Sequence, residues 1–151
     1  MPVHLATGAN YFAGIVAADI SQSSNSSYSN LFTKAVLANE KWVMEACLFF
    51  SAAAATTGIV VAMDAPANPA AVIYGLDSSE SATTFRCLVA TSAGTALVGT
   101  ASAAATIITA FVRGTVENGP TAGNVVVKFR SEVNGSAVTV KRGSFVRWSR
   151  V

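Results

Sequence analysis

Residues 122–151 alternate apolar and polar side chains through three successive runs, and few folds accommodate that pattern. Val125, Val127 and Phe129 fall on one side of the first run and Lys128, Arg130 and Glu132 on the other, the period of two that a half-buried strand requires. Asn134-Gly135 then supplies two residues that tolerate the positive φ of a tight hairpin. A second run, 137–142, meets a turn at Gly143, and 144–151 forms the third. The arrangement predicts a compact all-β domain whose last strand is held in a sheet.

The same period recurs upstream. In 40–51, Trp42, Met44, Ala46, Leu48 and Phe50 share one side, while the other changes from mixed to apolar at Cys47 and Phe49. Such a strand is central and covered on both faces, by a second sheet or a subunit. Further strands are expected at 31–37, 59–63, 70–74, 83–90, 96–100 and 106–117, separated by proline, glycine and asparagine signals and by an acidic turn from Asp77 to Glu80. About eight to ten strands with turns at short intervals point to a jelly-roll-like antiparallel β-sandwich. Residues 1–14 show no regular period, and 21–30 is a Ser/Asn-rich loop, so the expected organisation is an extended N-terminal arm and loop over 1–30 and a sandwich domain over 31–151.

Charge is thin for such a chain. Charged residues make up 12% of the sequence and hydrophobic ones 52%, against a usual charged share of about 25%. That surface predicts a homo-oligomer. From Gly123 onward there are six cations and one anion, whereas the preceding residues hold four cations and seven anions. A basic sheet face could meet an anionic partner, but solvated outward residues of edge strands explain the bias more simply, so nucleic acid is not expected as the main partner. Two uncharged runs, 46–63 and 87–112, are long enough to span a bilayer, yet their Ser, Thr, Gly and Ala content argues against it. Residues 1–14 lack the basic start and apolar core of a secretory signal. Cys47 and Cys87 lie in apolar runs and are expected as buried thiols, a disulfide between neighbouring strands being the alternative.

Catalytic parts are scarce. His4 is the single histidine, and the eight carboxylates are dispersed, with only Asp77 and Glu80 close in sequence. Neither a Ser/His/Asp arrangement nor a histidine metal site can be assembled from the body of the chain. The glycines mark turns and form no phosphate loop. The expectation is therefore no enzyme, no cofactor, no metal and no small-molecule substrate.

Three segments carry a resemblance: Gly114-Thr115-Val116-Glu117-Asn118-Gly119, residues 122–132, and Val140-Lys141-Arg142-Gly143-Ser144-Phe145-Val146-Arg147-Trp148-Ser149-Arg150-Val151. They resemble the closing strands of small jelly-roll-like virion structural proteins of tailed bacteriophages, and the run from Trp42 ending in Ala-Ala-Ala-Thr-Thr-Gly58 is similar to that family's middle. The likeness spans 41–151. It implies a capsid decoration (cement) protein, usually trimeric, bound to the major capsid protein on the virion surface and assembled in the host bacterial cytoplasm. A tail fibre, baseplate appendage or receptor-binding virion protein is the alternative it leaves open. In the first case the arm would reach the shell, with Leu5, Tyr11 and Phe12 as its anchors.

Overall fold

The computed structural model describes residues 3–8, 10–79, 84–101 and 103–151, the first stretch as backbone alone. Among these residues there is no helix, and thirteen strands form. In chain order they are β1 (Val3–Gly8), β2 (Tyr11–Val16), β3 (Ile20–Gln22), β4 (Ser29–Val36), β5 (Lys41–Ala52), β6 (Ile59–Asp64) and β7 (Ala71–Ser79). Then follow β8 (Phe85–Ala90), β9 (Leu97–Gly99), β10 (Ile108–Glu117), β11 (Gly123–Ser131), β12 (Val138–Val140) and β13 (Phe145–Arg150).

All pairings are antiparallel. The larger sheet runs β1-β2-β13-β5-β10-β7-β8, with β12 beside the far end of β5 and β3 beside β12, and the smaller runs β4-β11-β6-β9. The expected sandwich forms because alternate residues of both sheets meet in one core. Met44, Leu48 and Phe50 of β5 and Trp148 of β13 face Leu31, Val127, Phe129 and Met63 from the smaller sheet, all fully buried. β5 is central as expected: β10 pairs along one edge, and β13 and β12 share the other in line. Where the chain leaves β12 and re-enters at β13, Gly143 adopts φ 88° and the Ser144 hydroxyl takes the Phe49 amide at 2.9 Å, filling the gap in the ladder.

Four expectations need correction. Residues 3–16 are not a free arm: β1 and β2 form a hairpin, and β2 extends the larger sheet along β13. No boundary falls at residue 30, because β3 also joins that sheet. Asn134-Gly135 does not close a hairpin, since β11 and β12 belong to different sheets; Gly135 has φ 80°, whereas Asn134 is not among the positive-φ residues. Asp77 is not in a turn but within β7, opposite Cys87 and Phe111, and Glu80 lies outside the described residues.

Candidate functional site

Because β-strands project alternate side chains to opposite faces, the residues between the core positions of the larger sheet all point away from the smaller one. Strand register sets them in rows. One row reads Ile15, Phe145, Cys47, Phe111, Asp77, Cys87 across β2, β13, β5, β10, β7 and β8. The next reads Ala13, Arg147, Glu45, Arg113, Gly75, Val89, and a third Tyr11, Ser149, Val43, Thr115, Ile73.

This outer face is apolar to a degree that solvent alone does not favour. Phe85 is 69% exposed, Val89 63% and Ile73 48%, with Phe111, Tyr11, Ile15 and Val43 near 40%. Contiguous apolar patches of this kind mark contact surfaces, while single exposed apolar residues do not. A shallow depression of about 400 Å³ lies at its centre, floored by Ala46 and Cys47 and rimmed by Phe111, Phe145, Glu45, Arg113 and Arg147. Its charges are ordered: Arg113 is ion-paired with Asp77, and Arg147 stacks on Phe145 with its guanidinium carbon 5.5 Å from the ring centre.

The chemistry available there is contact. Cys47 is buried, and desolvation raises its thiol above the ordinary value, so it is a poor nucleophile. Cys87 is exposed, contrary to the expectation of burial, and its hydrogen bond to the Asp77 carboxylate raises its pKa. Both thiols are free, and β10 and β7 stand between their strands, which removes the alternative of a disulfide between neighbours. No group of three or more metal-ligating side chains occurs among the described residues. Nor is any described helix long and apolar enough to cross a membrane.

The C-terminal cations do not share one face. Arg147 joins the outer face of the larger sheet, and Lys128 and Arg130 flank Tyr28 on the smaller sheet. Lys128 pairs with Asp64 at 2.5 Å, Lys141 with Asp19 at 3.0 Å and Arg150 with Glu40 at 3.1 Å. The possible basic face is thus dispersed, and three of its six cations are ion-paired.

The three expected anchors separate. Phe12 is 6% exposed and belongs to the core, so it fastens its hairpin to the sandwich and does not stand free for a partner. Tyr11 points the other way, at the end of the third outer row. Leu5 pairs with Gly14 through its backbone, and its side chain lies outside the described residues. The sequence reading missed the rest of the face. Its one trace was the apolar character of both sides of 46–50, which already asked for a cover.

No family model and no curated protein matches this sequence. Among solved structures the chain is similar to that of the infectious bursal disease virus VP2 subviral particle, at 14% identity and a TM-score of 0.28, covering 93% of this chain and 40% of that one. It is also similar to that of the infectious bursal disease virus Gt strain, at 15% identity and a TM-score of 0.26, covering 93% of this chain and 37% of that one. The chain therefore spans under half the length of the structures it matches.

Proposed function

We propose that this protein is a virion structural protein, a bacteriophage capsid decoration protein that assembles with its own copies and binds the major capsid protein at the shell surface. The observation that carries the reading is the outer face of the larger sheet, a broad apolar surface with no catalytic constellation in it. A protein whose role is contact needs such a surface and little else. At roughly 25 cal/mol per Å², a few hundred Å² of apolar area contributes several kcal/mol per joint before association costs. Repetition over a lattice multiplies that contribution, which is how a cement protein resists internal pressure.

The shell-binding element in this reading is the β1–β2 hairpin, with Leu5 as its contact, because β1 ends the sheet and, among the described residues, one of its backbone edges has no neighbouring strand. The experiment is addition of purified protein to undecorated shells, followed by counting copies per particle by quantitative mass spectrometry. Hundreds of copies, with occupancy reduced by Leu5→Glu at unchanged oligomer mass, are expected. A handful of copies per virion would overturn decoration in favour of a tail appendage.

A further inference from the structure

We propose that the outer face of the larger sheet packs on the same face of a second copy, about a two-fold axis that lies in the interface and runs along the strands between β5 and β10. This rests on the reading that the face is a contact surface, and it names the occupant.

Charge complementarity carries the choice. Arg147, Glu45 and Arg113 stand side by side on β13, β5 and β10, and Gly75 takes the β7 position of that row. The two strands beside the axis therefore carry opposite signs in this row, negative on β5 and positive on β10. Rotation about an axis along the strands reverses the row. Because Glu45 and Arg113 flank the axis in one row, the rotation sets Glu45 over Arg113 of the second copy and Arg113 over its Glu45. The operation also sets Phe111 over Cys47 of the second copy, a ring against a small side chain beside the central depression. A two-fold joint uses one patch twice, whereas a threefold ring joins two different patches and draws nothing from this self-complementarity.

Area agrees. Six strands at about 4.8 Å spacing span roughly 24 Å, and the ten paired residues of β5 and β10 extend about 34 Å. The footprint is about 800 Å² per copy, the amount each partner contributes to a standard stable interface.

Charge reversal tests the axis. Glu45→Arg and Arg113→Glu each place like charges at two symmetry-related positions and should weaken self-association at least about 30-fold. Mixed in equal amounts, the two variants regain opposite charges at both positions and should form a heterodimer of wild-type affinity. Light scattering and sedimentation read the mass, and circular dichroism with thermal unfolding verifies that each variant is folded. A dimeric wild type, monomeric single variants and a dimeric mixture are the expected result. A monomeric or trimeric wild type, single variants that still pair, or a mixture that stays monomeric would overturn the two-fold face. Shell occupancy is scored separately, so decoration and pairing can fail independently.

Discussion

Glu40 and Trp42 meet at the start of β5, where the indole Nε1 donates to Glu40 Oε2 at 3.0 Å although the carboxylate is only 7% exposed. Burial works to raise this carboxyl's pKa, but the Leu37 amide, the Trp42 indole and the charges of Arg150 and Lys34 outweigh it and hold the pKa below the ordinary value. A carboxyl lowered on folding stabilises the fold above its unfolded value of about 4.3, and that contribution is lost as pH falls through the lower folded value. Glu40→Gln should cost about 1–3 kcal/mol in urea unfolding at pH 7. The difference from wild type should shrink steadily below about pH 4.3; a difference that stays constant to pH 2 would assign the loss to packing.

Gly135 and Asn134 were read from sequence as equal halves of one hairpin turn, and substitution should separate them. Gly135 holds φ 80° in open space, so Gly135→Ala meets backbone strain but no clash and should cost about 1–2 kcal/mol. Asn134→Ala should change stability by less than about 0.5 kcal/mol. Equal losses measured by thermal unfolding would restore the two-residue hairpin.

Most strands were legible: β4, β5, β6, β8, β9, β10, β11, β12 and β13 fall within a few residues of their expected places, most through alternation or bounding turn residues and the fully buried β6 through its unbroken apolar run. β2 was not, and the reason is informative. Phe12 and Val16 face the core while Tyr11 and Ile15 face outward, so both sides are apolar and the period of two disappears. The property that hid this strand is the one that makes the contact face. Three-residue β3 is too short to show a period at all. The rows themselves were beyond reach, because Arg147, Glu45 and Arg113 become neighbours only through pairings between strands distant in sequence.

Ser78 of β7 points into the sandwich, 1% exposed, and its hydroxyl has no hydrogen-bond partner among the described residues. A β-carbon on Gly99 would come within 2.9 Å of that oxygen, so the hydroxyl already sits tightly against β9. Ser78→Ala removes a desolvated polar group without opening a sizeable cavity and should stabilise by about 1 kcal/mol. For a domain of this size that corresponds to about 2–4 °C in Tm. A drop of similar size would reveal a partner for the hydroxyl.

Cys87 and Cys47 occupy the same outer row but should differ as reagents. Cys87 is exposed and Cys47 buried in the single chain, so in the dissociated Glu45→Arg variant a thiol-selective aromatic disulfide should titrate one thiol in the folded state and two after unfolding in guanidinium. The Asp77 carboxylate, by hydrogen bond and by charge, raises the Cys87 pKa above the ordinary 9.0. Its rate should therefore still be climbing at pH 9, since the thiolate is the nucleophile. Asp77→Asn removes the negative charge and should move the pH midpoint of that rate downward. Two fast thiols in the folded chain would contradict the burial of Cys47, and an unmoved midpoint in Asp77→Asn would remove Asp77 as the cause.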